Sequence, residues 1–182
     1  AGFRQWGERM QLDVMDGLSH LVDEGIADPE RACIVGGSYG GYAALVAAYK
    51  AVDRLRCAVS FAGVADLAEL KDKWYFYAFG RRAVARIQNG PDMLANSPIE
   101  NVEKIGLPLL LVHGDVDTTV VIEQATRFVE ALDKAGKDYR YIEQRNGDHY
   151  FSLQSHRVEY LRAVGEFLAQ HIGPEASVGS AR

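Results

Sequence analysis

Ser38 stands in Gly36-Gly37-Ser38-Tyr39-Gly40, a Gly-x-Ser-x-Gly pattern. A serine hydroxyl is a weak nucleophile until a base of near-neutral pKa takes its proton. Histidine meets that need. The histidine in turn needs a carboxylate to hold its tautomer and to stabilise the imidazolium. Both residue types recur downstream, in His113-Gly114-Asp115-Val116-Asp117 and in Asn146-Gly147-Asp148-His149. The chemistry such a set could do is acyl transfer: attack on a carbonyl, then release of the acyl group to water.

The sequence has five histidines. His20, His156 and His171 fall on helical stretches, where a solvated or capping role is usual. His113 ends a strand and is expected to pack beneath the acid loop. His149 lies in a short loop between a strand and the last helix, which makes it the expected base. For the acid, Asp115 and Asp117 compete; Asp148 adjoins the histidine and would have to fold back awkwardly to reach it.

These residues need a scaffold that brings them together. Arg31-Ala32-Cys33-Ile34-Val35 is a short apolar run of strand formers, and Tyr42–Tyr49 is small, apolar and helical. The serine therefore falls where a buried strand turns at once into a helix, the context of a nucleophile elbow. Side chains at Gly36 and Gly40 are expected to collide with the adjoining strand and helix. The helix start directs free N–H groups and a partial positive charge at the site, and the Tyr39 N–H is the candidate oxyanion donor. Further along, strands are expected at 31–36, 56–62, 107–113 and 137–143. Helices are expected at 4–24, 40–51, 121–135 and 154–171, with Leu12, Met15, Leu18, Leu21 and Val22 on one side of the first. Gly25 and Gly136 read as helix stops. Residues 64–100 are mixed, with an aromatic cluster at 74–77 and a turn at 89–91. Strands alternating with helices, two of them almost wholly apolar, predict an α/β fold: a parallel sheet covered by helices on both faces. Chemistry in such sheets gathers at the carboxyl ends of strands. Ser38, the 113–117 stretch and the 146–149 stretch each follow a strand.

At 182 residues the chain is long enough for one domain with a real core. A net charge of −5, with no block of Lys or Arg, argues against a nucleic-acid or acidic-membrane partner. No apolar run approaches the roughly 20 residues of a membrane span. Cys33 and Cys57 read as buried free thiols. The His, Cys and acidic residues do not fall at metal-ligand spacings and no phosphate loop is present, so no metal and no cofactor are expected. Residues 1–173 read as the folded part and 174–182 as a disordered tail.

The order serine, aspartate, histidine is that of α/β-hydrolases. Taken together, the motifs resemble the catalytic domain of the prolyl oligopeptidase family of serine peptidases, most of all the branch of dipeptidyl-peptidases and acylaminoacyl-peptidases. Gly36 to Tyr42 matches the family's Gly-Gly-Ser-Tyr-Gly-Gly-Tyr elbow. His113, Gly114, Asp117 and Val120 match its His-Gly-x-x-Asp-x-x-Val. Gly147-Asp148-His149 matches the loop that bears its histidine. Residues 25–31 and Ser97-Pro98-Ile99 are smaller echoes. Where the family usually has proline after the valine, this chain has Val121. The resemblance selects Asp117 over Asp115. It implies a serine peptidase acting on short peptides through Ser38, Asp117 and His149, with Trp74, Tyr75 and Tyr77 as candidates to line the substrate pocket.

The resemblance also implies a larger whole. A full hydrolase sheet has eight strands and four are readable here, so the chain is expected to be the C-terminal part of a catalytic domain. A tyrosine that donates the second oxyanion hydrogen bond, and a β-propeller, would lie upstream. The elbow strand would then be an edge, and a homo-oligomer covering that edge is expected. Two rival readings are a carboxylesterase using the same three residues and an inactive, self-associating piece of the parent peptidase.

Overall fold

The computed structural model describes residues 2–75, 80–87 and 91–176. Four strands form one sheet: β1 (Cys33–Gly37), β2 (Cys57–Phe61), β3 (Leu109–Gly114) and β4 (Tyr139–Gln144). They run parallel in the order β1-β2-β3-β4. Around them lie α1 (Arg9–Asp23), α2 (Tyr39–Lys50), α3 (Leu67–Tyr75), α4 (Gly80–Val84), α5 (Pro91–Ala95), a 3₁₀ segment (Pro98–Lys104), α6 (Glu123–Lys134) and α7 (Gln154–Ile172). The alternation expected from the sequence is present, and both faces of the sheet are covered.

Successive side chains of a strand point to opposite faces, and the core divides accordingly. Ala58 of β2 and Leu109 and Leu111 of β3 pack with Leu45 and Ala48 of α2 and with Phe128 and Leu132 of α6. Their neighbours Val59, Phe61, Leu110 and Val112 pack on Ala163, Val164 and Phe167 of α7. A strand buried on both faces must be apolar throughout, and every residue of β2 and β3 is buried.

Two expectations need correction. The first helix begins at Arg9, not at residue 4, because Arg4 (φ 55°) and Gly7 (φ 71°) take left-handed backbone angles that a right-handed helix cannot contain. Its inner side carries Gln11, Met15 and Leu18, while Leu12 and Leu21 are 62% and 41% exposed. The helix ends as expected at Gly25 (φ 69°), and α6 ends likewise at Gly136 (φ 62°).

The cysteines are not free. Cys33 and Cys57 form a disulfide, with Cα atoms 4.8 Å apart. The physical reason is register: β1 and β2 pair in parallel with Cys33 opposite Cys57, a separation within the reach of a disulfide. The bridge spans a sequence separation of 24 residues. Reduction is expected to lower stability by about 3 kcal/mol through the released loop entropy. Urea midpoints with and without dithiothreitol measure this; equal midpoints would contradict it.

Candidate active site

The elbow is built by sterics. Ser38 has φ 56° and ψ −118°, a conformation that costs an L-residue about 1–3 kcal/mol and persists only when its surroundings impose it. The restraint is visible on both sides. The Ser38 N–H donates to Phe61 O at 2.8 Å, and the Tyr42 N–H donates to Ser38 O at 3.0 Å. A Cβ on Gly36 would lie 2.9 Å from the Gly40 Cα and run into the Gly40 carbonyl, and one on Gly41 would lie 2.7 Å from the Gly63 Cα. Gly40, expected to be sterically required, is different: a Cβ there meets nothing within 4 Å outside its own helix. The crowded pair is Gly36 with the Gly40 backbone, and the second crowded glycine is Gly41.

The acid and base come from loops after β3 and β4. The His149 Nδ1–H donates to Asp117 Oδ2 at 2.7 Å. Asp117 Oδ1 accepts the N–H groups of Thr119 (2.8 Å) and Val120 (2.9 Å). The carboxylate side chain is wholly buried and that of His149 is 10% exposed. Burial by itself pushes the Asp117 carboxyl up. The hydrogen bonds from His149, Val120 and Thr119 outweigh it and leave the carboxyl below the ordinary carboxylate range. Asp117 is thus a buried anion that accepts from Nδ1, so in the neutral ring Nε2 of His149 is the atom with the lone pair.

The two loops are joined through backbone. A Cβ on Gly114 would lie 2.9 Å from the Gly147 Cα, and the Val116 N–H donates to Gly147 O at 3.0 Å. Asn146 (φ 57°) and Phe151 (φ 54°) bracket His149 with left-handed turns. Asp148 Oδ1 accepts the amides of Tyr150 (3.1 Å) and Ser152 (3.0 Å), so it shapes the base loop. The Phe151 ring stacks on Phe61 with centroids 3.8 Å apart. Phe61 also links the serine to the base: its carbonyl takes the Ser38 N–H, and its ring centroid lies 6.5 Å from that of His149. Sequence reading missed the roles of Phe61, Phe151, Gly114 and Gly147. The Gly114 and Gly147 positions inside the two motifs were the available signal.

The structure therefore brings Asp117 and His149 into direct contact after β3 and β4, with Ser38 at the carboxyl end of β1, on the far side of β2. Asp115 stays out, its N–H on Gln144 O at 3.1 Å. Tyr39 is the first residue of α2, a position whose N–H has no partner within the helix. Its ring packs edge-on against Trp6, with centroids 4.6 Å apart. Trp74 is half-buried and its indole Nε1–H donates to Thr119 O at 2.8 Å. Tyr75 is 61% exposed, and Tyr77 lies outside the described residues, as do the 89–90 part of the expected turn and residues 177–182 of the tail. His113 is buried beneath the acid loop. Among the described residues no group of three His, Cys, Asp or Glu side chains could hold a metal ion, and no helix is long and apolar enough to cross a membrane.

A parallel sheet with helices on both faces, entered by a strained serine elbow at a strand's carboxyl end, is the architecture of the α/β-hydrolase class. Within that class the chain belongs to the prolyl oligopeptidase family, which residues 1–175 match. It is 27% identical over 184 residues to dipeptidyl peptidase family member 6 of Caenorhabditis elegans, covering 96% of this chain and 25% of that protein. It is also 27% identical over 184 residues to dipeptidyl aminopeptidase BIII of Pseudoxanthomonas mexicana, covering 97% and 27%. A puromycin-hydrolyzing peptidase of Mycobacterium tuberculosis superposes with a TM-score of 0.84 at 30% identity, over 93% of this chain and 26% of that one. The chain spans about a quarter of the length of the curated relatives it matches.

Proposed function

We propose that Ser38, His149 and Asp117 form the catalytic set of a serine peptidase that hydrolyses short peptides through an acyl-enzyme. The single observation that carries this is the 2.7 Å bond from His149 to the buried Asp117 Oδ2, on the same rim as a serine held at positive φ. Nε2 of His149 takes the Ser38 proton as Oγ attacks the peptide carbonyl carbon. The oxyanion that forms receives the Tyr39 N–H. His149 then gives its proton to the departing amine as the carbon–nitrogen bond breaks. Water repeats the sequence on the acyl-serine ester and restores the free hydroxyl. Asp117 stays ionised throughout and stabilises the imidazolium.

The test is labelling with a fluorophosphonate probe, with Ser38→Ala as control and circular dichroism to establish folding. Labelling of the native chain that vanishes in the control is expected. A folded native chain that takes no label sinks the proposal and favours the inactive-fragment reading. Comparing a short peptide anilide with a short ester then separates peptidase from esterase.

Self-association at the β1 edge belongs to the same reading. β1 pairs only with β2 in the described sheet, and its Val35 is 43% exposed, the kind of apolar edge that invites pairing. Light scattering across a concentration series is expected to show a dimer or larger species; a monomer throughout removes this part.

A further inference from the structure

The loop that carries Asp117 is gripped on two consecutive carbonyls by side chains from other elements. His113 Nε2 lies 2.7 Å from Val120 O. A carbonyl can only accept, so the ring bears its proton on Nε2 and donates. One residue earlier, Trp74 Nε1–H donates to Thr119 O at 2.8 Å. The Thr119 carbonyl shares a peptide group with the Val120 N–H, and that N–H donates to Asp117 Oδ1 at 2.9 Å. Indole, peptide group and carboxylate thus form one hydrogen-bonded chain in which each bond polarises the next.

His113 secures the following peptide, and its Nε2 also stands 3.6 Å from Asp117 Oδ2, the oxygen that receives His149. Burial pushes the His113 imidazole towards its neutral form, with the Val120 carbonyl and Asp117 opposing. The 3.6 Å approach is therefore dipolar and not an ion pair. Between the two donors the Val120 side chain is 1% exposed, packed with Leu67, Leu70 and Ile87.

We propose that His113 and Trp74 are positioning residues: together they clamp the acid loop and, through Asp117, set the orientation of His149. This rests on the roles given above to Ser38, Asp117 and His149. It assigns Trp74 a task in holding the acid, beyond the pocket-lining expected of it.

The experiment uses Trp74→Phe, His113→Leu and His113→Gln in the full chain, with three readouts. These are the rate of fluorophosphonate labelling, the far-downfield proton resonance of the His149–Asp117 hydrogen bond, and the thermal melt. Trp74→Phe and His113→Leu remove a donor while keeping an apolar side chain. Each is expected to slow labelling about 10- to 100-fold, the usual result of a small misplacement at the reacting groups, and to weaken the resonance. His113→Gln can still present an amide N–H where Nε2–H stood, and is expected to stay within about threefold of the native chain. If His113→Leu does not melt cooperatively, His113→Asn replaces it, because its amide cannot reach Val120 O.

A donor-less variant that matches the native chain in rate and resonance removes that residue from the clamp. Gln and Leu variants that fall equally make ring packing the cause and overturn the proposal for His113. The resonance needs no activity. A native chain that shows it yet takes no label defeats the proposed function and still leaves the clamp to be judged on the resonance.

Discussion

Asp117→Asn is expected to leave a folded chain that reacts with acylating probes about 10⁴-fold more slowly than the native one. The size follows from geometry. Asp117 Oδ1 accepts two backbone amides, and an asparagine oxygen can take its place there. The NH₂ group then occupies the site of Oδ2, 2.7 Å from His149 Nδ1. Two donors cannot face each other, so the ring must move its proton to Nε2 and present Nδ1 as acceptor. The lone pair that would take the serine proton is lost, while the fold loses little.

Stability gives an independent readout with a definite sign. The Asp117 carboxyl is held below its ordinary range in the folded chain, whereas the unfolded chain titrates near the usual value of about 3.9. The unfolded chain therefore binds the proton more readily, and stability from this carboxylate is present above that value. It is lost as pH falls through the folded value. The native chain should lose stability over that interval and Asp117→Asn should lose less. Urea midpoints of the two proteins at neutral pH and near pH 3 measure the difference; parallel losses would show that the carboxylate is not held as described.

The alternation of apolar strands and helices made the parallel sheet legible from the sequence, because strands buried on both faces must be apolar and their lengths are short. The positions of Ser38, Asp117 and His149 after strands were legible for the same reason. What stayed hidden depends on register and on contacts distant in sequence. Cys33 and Cys57 carry no spacing signal, and only the pairing of β1 on β2 sets them opposite each other. The inner side of α1 was displaced because Leu12 and Leu21 satisfy a helical period that the packing does not use. Phe61 looked like an ordinary strand residue, yet its carbonyl and ring touch the serine and base loops. The resemblance makes Trp74 a candidate pocket-lining aromatic, and nothing in its sequence position signals that its indole N–H binds the acid loop.

Gly36→Ala and Gly40→Ala should part company, although the two glycines frame the serine in one motif. A methyl at Gly36 drives into the Gly40 carbonyl, with the Gly40 Cα only 2.9 Å away. Both partners are backbone, and the backbone there is already committed: Ser38 N–H to Phe61 O on one side, Tyr42 N–H to Ser38 O on the other. Relief requires β1 and the first turn of α2 to separate, which breaks the elbow. The expected cost is about 3 kcal/mol or more, at or above the upper end of overpacking changes, together with loss of probe labelling. Gly40 lies inside α2, and a methyl there meets nothing within 4 Å beyond the helix itself. Alanine at a helical position with room for it is expected to raise stability by about 0.5–1 kcal/mol over glycine. Denaturant midpoints of the two variants decide the matter. Equal destabilisation would mean that the motif's second glycine is held by something other than the crowding between Gly36 and the Gly40 backbone, and the steric account of the elbow would then have to be abandoned.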